Sequence, residues 1–255
     1  MEYNFDATIA RKECVQWIRN WFEENGKGCN AVIGISGGKD STVAAALCVE
    51  ALDKDRVYGI LMPNGYQSDK EDAKKVVKAL GIHSCECNIG KAYNILLEET
   101  DWATMAFRTS ISEQTKINLA PRIRMTTLYA ISQSINGRVV CTDNLSESFI
   151  GYSTRWGDNV GDFAPIAWFT SDEVVAIGDE LGLPYELTHK TPADGLCGKT
   201  DEDNFGFTYE QLNTYIRTGE CDDEVVKEKI ETLYAKNVFK LNPIPKYVPT
   251  FNISY

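Results

Sequence analysis

Histidine is nearly missing from these 255 residues: His83 and His189 are the whole supply, and no Cys-x-x-Cys pair accompanies them. Zinc and iron–sulfur sites draw on clustered thiolates and imidazoles, so neither is expected. The eight cysteines are scattered. Cys14, Cys48 and Cys221 fall in helix-like segments, Cys29, Cys141 and Cys197 stand alone, and Cys85 and Cys87 alternate onto one face of an expected strand. Reduced, mostly buried thiols are the reading. Long apolar runs are missing too: the longest, Val43 to Val49, is far short of the roughly 20 residues of a membrane helix. Met1 to Asp6 has no basic stretch leading into an apolar one, so no secretory signal is read there. Positive charge is in deficit, with a net of −11, and such a surface repels nucleic acid unless bases are locally concentrated. A soluble, cytoplasmic protein without nucleic-acid or membrane partners is expected. Its 43% hydrophobic content is too high for a disordered chain and suffices for one sizeable core, or a core with a small satellite.

Short β-rich runs alternate with amphipathic stretches of helix length. Ile9, Val15, Trp17, Ile18, Trp21 and Phe22 mark a helix over 7–25, ended by Gly26. Ala31 to Ile35 reads as a buried strand, followed by a glycine-rich turn and an alanine-rich helix to about Leu52. Val57 to Met62 is a second strand, and Ser68-Asp69 with Glu71-Asp72 opens an acidic, capped helix that ends near Gly81. Cys85 to Ile89 is a third strand. Helical stretches follow near 91–107 and from Ser110 to Ser134, where Pro121 implies a kink or a second start. Arg138 to Cys141 is a fourth strand, and Phe163 to Trp168 a candidate fifth. Further helices are expected over 170–181, 208–217 and 222–236, with a mobile loop over 192–206 and an irregular tail over 237–255. Alternating strands and helices call for a parallel sheet covered on both faces: one doubly wound α/β domain spanning 1–255.

The most informative residues follow the first strand: Gly34, Ile35, Ser36, Gly37, Gly38, Lys39, Asp40 and Ser41. A glycine turn between a buried strand and a helix start aims backbone N–H groups and the helix dipole at one point, which suits a phosphate. It is not a Walker A loop, because Asp40 follows Gly38-Lys39, nor a dinucleotide fingerprint, because Ser36 stands where a second glycine is needed. Ser36-Gly-Gly-Lys-Asp-Ser41 instead resembles the pyrophosphate loop of the ATP pyrophosphatases, which split ATP between its α- and β-phosphates and pass AMP to an acceptor. The bland alternative is a tight turn whose glycines only close the geometry.

Four further segments resemble the ammonia-dependent NAD synthetases of that superfamily: Asn118 to Met125 with Leu128-Tyr129; Thr142 to Glu147 with Gly151 to Asp158; Gly161 to Ile166; and Gly195 to Glu202 with Gly206 to Tyr209. Together with the loop they span residues from about 30 to 240. The resemblance implies a Rossmann-like fold of the adenine nucleotide α-hydrolase type and a homodimer, with Arg122 and the 125–135 segment in the region that matches the family's interface. It implies amidation of nicotinic acid adenine dinucleotide (deamido-NAD) by ammonia, with ATP as co-substrate and Mg²⁺ as cofactor, through an acyl adenylate. It assigns the loop and Thr142 to ATP, Asp40 and Glu147 to the metal, and Arg122, Arg155, Asp162 and Lys240 to deamido-NAD. No side chain is assigned a catalytic role of its own; positioning and charge stabilisation carry the reaction.

Read without the family, Asp40 and Glu147 follow the first and fourth strands, which should flank the point where strand order reverses, and ligands bind at such points. Two carboxylates beside a phosphate nest suit Mg²⁺; Glu147 reads equally well as an acid favouring a helix start. Arg122 and Arg124 also read as exposed helix cations. The sequence departs from the family at Ser171 (often an ATP-binding lysine), Ala193 (threonine or serine), Arg155 (often lysine) and Phe239 (histidine). A substitute cation is sought in Lys39, Lys190 or Lys199. Lys39 is nearest the phosphates, with a solvent-pointing side chain as the even alternative. The rival functions are another ATP pyrophosphatase, such as a tRNA thiolase or a GMP synthetase core, and a nucleotide sensor without turnover. The acidic charge, the absence of Cys-x-x-Cys and the presence of Asp40, Glu147 and Arg122 weigh against them.

Overall fold

Strand alternation divides the centre of the molecule between two cores. In β1 (Asn30–Gly34), Ala31 and Ile33, followed by Ile35, face one side of the sheet, and Val32 faces the other. In β2 (Val57–Leu61), Val57 and Leu61 join the first side while Tyr58 and Ile60 join the second. Strand neighbours point to opposite faces, so an unbroken apolar run is what a strand covered on both faces requires. The computed structural model describes residues 3–66, 70–190 and 200–248. Its sheet is parallel throughout, in the order β3-β2-β1-β4, with β3 at His83–Glu86 and β4 at Gly137–Val139. Val32 aligns with Tyr58 on one flank and with Val139 on the other.

Helices α1 (Ala7–Asn25), α2 (Lys39–Leu52), α3 (Lys70–Leu80) and α7 (Ser171–Glu180) cover the first face. Arg11 of α1 ties this layer to Glu50 at 2.8 Å and Glu180 at 3.3 Å. Such partly exposed pairs are worth about 1 kcal/mol or less each, against roughly 2 kcal/mol for each fully buried side chain such as Ile18 or Phe22. Packing therefore holds the layer. On the second face lie α4 (Gly90–Met105) and α5 (Glu113–Ser134), where Ala120, Ile123, Leu128 and Ile131 meet Val32 and Ile60. A satellite core joins α6 (Leu145–Ile150), α9 (Asp201–Phe205), α10 (Tyr209–Thr218) and α11 (Glu224–Asn237) through Ile150, Phe205, Phe207, Leu212 and Ile230. Helix α8 is a single turn, Tyr185–Thr188.

Several expectations need correction. The fifth strand is only an isolated bridge between Val140 and Phe163, beyond which Pro165 has no N–H to continue a ladder. Strand β3 ends at Glu86, so Cys87 lies past it and Cys85 alone is in the strand. Helix α5 continues through Pro121 as one helix, so no second start lies there; its one start is capped by Ser112. One lost hydrogen bond is outweighed there by the apolar stripe packed on β1 and β2. The expected loop over 192–206 contains α9 at its end: Thr200 and Asp203 form a reciprocal cap, and Gly206 closes the helix in a left-handed conformation. The tail expected from 237 begins with the last residue of α11 and a 3₁₀ turn, Val238–Lys240. Ser68-Asp69, Ala193, Lys199 and 192–199 lie outside the described residues.

Candidate active site

Because β1 lies between β2 and β4, the chain leaves β1 toward one side for β2 and β3 and reaches the other side only at β4. The loops after β1 and β4 therefore open a crevice at the carboxyl ends of the strands. Their meeting is direct: Asn144 Nδ2, after β4, donates to Asp40 Oδ1, after β1, at 2.9 Å.

The loop after β1 is tied to itself by hydroxyls. Ser36 Oγ accepts from Gly38 N at 3.2 Å and sits 3.1 Å from Ser41 Oγ, while Thr42 Oγ1 donates to the Gly38 carbonyl at 2.7 Å. Gly37 has φ +85°, and a Cβ there would stand 2.8 Å from Ala73 N of α3, so only glycine fits. Gly38 is the N-cap of α2, and no side chain caps that helix start. By contrast Asp6, Ser112, Asn144, Thr208 and Asp223 accept first-turn amides of α1, α5, α6, α10 and α11. An uncapped start with its dipole aimed into a crevice is a seat for an anion.

Lys39 does not point to solvent. It is 5% exposed, with Nζ 2.9 Å from Asp40 Oδ2 and 5.6 Å from the centre of the Tyr209 ring. Burial pulls its pKa down, but the charges of Asp40 and Glu147, the hydrogen bond to Asp40 and the charge of Asp201 more than offset this, and the group stays an ammonium. Glu147, in the first turn of α6, has its pKa raised chiefly by burial and next by the charge of Asp40, with Lys39 opposing. Asp143 is pushed up to about 7, again chiefly by burial, despite a 2.7 Å hydrogen bond from Ser148. Thr142 stands just beyond β4, partly exposed.

Three of these participants were not assigned roles from sequence. Asn144 fixes Asp40 with its amide and accepts from Glu147 N with its oxygen, at 3.0 Å. Asp201 and Tyr209 come from the satellite, joined by a 3.2 Å hydrogen bond from Tyr209 to Asp201. All three lie inside motifs quoted above, and the Thr200–Asp203 and Thr208–Gln211 capping boxes were the local signal for the helices that carry the last two.

The second group of expected residues gathers on the segment that leaves α6. Tyr152 N remains bonded to the Glu147 carbonyl at 2.9 Å, so this segment and the metal candidates share one support. Thr154 Oγ1 donates to Asn118 Oδ1 at 3.0 Å, and Arg122 Nε to the Arg155 carbonyl at 3.3 Å. The Arg155 guanidinium lies 4.9 Å from the Trp156 ring centre and 5.3 Å from that of Phe239. The two departures, arginine for lysine and phenylalanine for histidine, thus form one contact, a cation on an aromatic face. Lys240 donates to the carbonyls of Gly151 at 2.7 Å and Ser153 at 3.1 Å, so its ammonium holds this turn. Asp162 accepts from Val139 N at 2.7 Å and from the Tyr129 hydroxyl at 3.3 Å, fastening the end of β4. Ser153 Oγ, Arg155 Nε and Asn159 Oδ1 are buried with no hydrogen-bond partner among the described residues. Three such atoms within seven residues would be costly to leave unsatisfied, so this segment has room for polar partners, water included.

Ser171 is buried, its N–H donating to Ser146 Oγ at 2.9 Å, and it brings no cation to the crevice. Lys190 reaches Asp72 of α3 at 2.8 Å. A cavity of about 660 Å³ between α7 and α10 lies apart from these residues, and Glu173 in it is already bonded to Arg217, Tyr3 and Thr170. Among the described residues no three His, Cys, Asp or Glu side chains are grouped to hold a metal by themselves, and no helix is long and apolar enough to cross a membrane.

A family model described as NAD synthase matches residues 10–245. The NH(3)-dependent NAD(+) synthetase of Finegoldia magna is 34% identical over 233 residues, which is 89% of this chain and 92% of that protein. Among solved structures, the NMN synthetase of Francisella tularensis superposes with a TM-score of 0.85 at 28% identity, covering 97% of this chain and all of the other. The NH3-dependent NAD synthetase of Campylobacter jejuni, in complex with nitrate, gives 0.77 at 25% identity, covering 96% of this chain and 100% of that one.

Proposed function

The chain belongs to the NAD synthase family, and from that membership we propose that it is a C–N bond-forming ligase that amidates deamido-NAD with ammonia, yielding NAD, AMP and pyrophosphate. The observation that carries the reading is the uncapped start of α2 beside Asp40, facing Glu147 across the crevice. The loop amides and the hydroxyls of Ser36 and Ser41 seat the departing pyrophosphate, with Thr142 on the opposite lip of the crevice. The nicotinate carboxylate attacks the α-phosphorus, and ammonia then attacks the acyl adenylate and expels AMP. No protein nucleophile is needed; orientation and charge stabilisation supply the rate. The donor set suits Mg²⁺, because the crevice already holds a cation, the Lys39 ammonium, among carboxylates. Asp40 and Glu147 would hold the metal, with the nucleotide's phosphates completing its shell, since Mg²⁺ takes one or two carboxylates and substrate oxygens. A metal held there by Asp40 and Glu147 would supply charge neutralisation at the phosphates. Arg122, Arg155 and the unpartnered atoms of 153–159 would receive the acceptor, and a cytoplasmic location goes with this reading.

One assay tests this: pyrophosphate, AMP and NAD measured with ATP, Mg²⁺, ammonium and deamido-NAD. All three products are expected in equal amounts. The synthetase match takes up residues 10–245, so glutamine in place of ammonium should give no NAD from this chain. NAD formed from glutamine by the purified chain would overturn that part. A second reading, with nicotinic acid mononucleotide as the acceptor, draws on the Francisella relative and on Lys240, whose ammonium bonds the carbonyls of Gly151 and Ser153. The same assay run with both acceptors decides by the ratio of kcat/KM values.

Assembly belongs to the same proposal. Trp102, Met105 and Phe107 at the end of α4 are 73%, 57% and 80% exposed, and Ile95 on α4 and Ile117 on α5 are exposed as well. An apolar face of this kind marks an interface, and we assign it to a second copy of the chain. Light scattering should give a dimer that Trp102→Glu with Phe107→Glu splits; a native monomer with full activity would count against it.

A further inference from the structure

We propose that the Lys39 ammonium is the resident cation of the Asp40–Glu147 pair, held in the place of the divalent metal in the nucleotide-free protein and released only when phosphates of ATP offer it another anion. The inference rests on the reading of that pair as the metal site. Both oxygens of Asp40 are engaged: Oδ2 by Lys39 Nζ at 2.9 Å and Oδ1 by Asn144 Nδ2 at 2.9 Å. An incoming cation must share these oxygens with two donors, one of them a positive charge that repels it. Asn144 is the fixed one, because its side-chain oxygen caps α6 by accepting from Glu147 N, and a flip of the amide would lose both bonds. Lys39 is the movable one, a point charge on a flexible four-carbon stem. Successive residues on a helix do not face each other, so its contact with Asp40 is made by the pocket, where the charges of Glu147 and Asp201 and the face of Tyr209 surround the ammonium.

The same geometry names its destination. Lys39 is the first residue after Gly38, so phosphate oxygens seated on the loop amides lie within reach of its stem without any backbone movement. A metal arriving alone meets a like charge; a metal arriving with ATP meets a carboxylate that the ammonium has just left. Metal and nucleotide binding are then coupled, and by linkage each strengthens the other.

The test is Mn²⁺ binding to nucleotide-free protein, followed by electron paramagnetic resonance. Native protein should bind weakly, and Lys39→Gln and Lys39→Met should each bind roughly tenfold or more tightly, the scale of one charge-assisted contact; Lys39→Arg should stay weak. Native affinity equal to that of both neutral variants overturns the inference. The native protein also serves alone if neither variant folds, because Mn²⁺ taken up stoichiometrically without nucleotide contradicts it. A Lys39→Gln/Asp40→Asn double variant separates the premise from the inference. If it loses the Mn²⁺ site while Lys39→Gln gains nothing, the inference fails and the metal pair stands. If it binds Mn²⁺ as well as Lys39→Gln does, the metal pair itself is wrong.

Discussion

Asp40→Asn is expected to lower kcat at least about a hundredfold, the scale at which a single group that stabilises transition-state charge is usually felt. The amide keeps the carboxylate's shape and loses both its charge and one of its acceptors. In the native protein two donors converge on Asp40, Lys39 from one side and Asn144 from the other. An asparagine accepts from only one of them and turns its own N–H₂ toward the other. The buried ammonium then keeps only the charges of Glu147 and Asp201, so the melting temperature should fall together with the rate. Unpairing a buried charge costs about 3 kcal/mol or more, less here because those two carboxylates remain. The rate is therefore read well below the variant's melt, across a Mg²⁺ series. Near-native turnover at low Mg²⁺ would mean that Asp40 is not a metal ligand.

Gly37→Ala should be nearly as damaging by a different route. Its φ of +85° is open to glycine and strained for alanine, and the added methyl would meet the backbone nitrogen of Ala73 at 2.8 Å. No rotamer relieves a contact with backbone, so either the phosphate loop or the start of α3 must move. Strain and overpacking together amount to about 2–4 kcal/mol. Because the displaced atoms are the amides that would seat the phosphates, KM for ATP should rise by roughly tenfold or more, as oriented contacts are lost. A thermal melt and an ATP titration check both halves. An alanine variant with native melting temperature and KM would show that the loop does not press on α3.

Much of this was legible in the sequence, for a physical reason that differs from element to element. The run Ala31 to Ile35 announced a fully buried strand, and the glycine turn after it announced a helix start that aims its amides at one point. Both signals are local, and both elements formed, the strand shifted by one residue to Asn30–Gly34. The reversal of strand order between β1 and β4 followed from the alternation of strands and helices, and it put Asp40 and Glu147 in one crevice. What failed to show was long-range. Lys39 reads evenly as a phosphate-loop cation or a solvent-pointing one until Tyr209 and Asp201, some 160 residues later, are folded over it. Acidic, glycine-rich composition hid α9 inside an expected loop, although the Thr200–Asp203 spacing was there to be read. Phe163 to Trp168 had the composition of a strand, but Pro165 left it only a bridge. Lys240 and Asp162 have charges suited to a substrate, and their bonds to the backbone of Gly151, Ser153 and Val139 are ones that no local pattern names.

The crevice lies on a seam. Asp40 and the phosphate loop stand on α2, packed in the main core, whereas Tyr209 is itself part of the satellite core and Glu147 and Asp201 sit on helices anchored there through Ile150 and Phe205. The sheet and Asn144 set Glu147 against the anion seat, and the distance to Asp201 and Tyr209 is set by how one small apolar cluster docks. Side-chain volume in that cluster is an adjusting screw: a change at Ile150 or Leu212 can widen or narrow the gap while every strand keeps its register. A scaffold arranged in this way can be refitted to a longer or shorter acceptor without rebuilding its foundation.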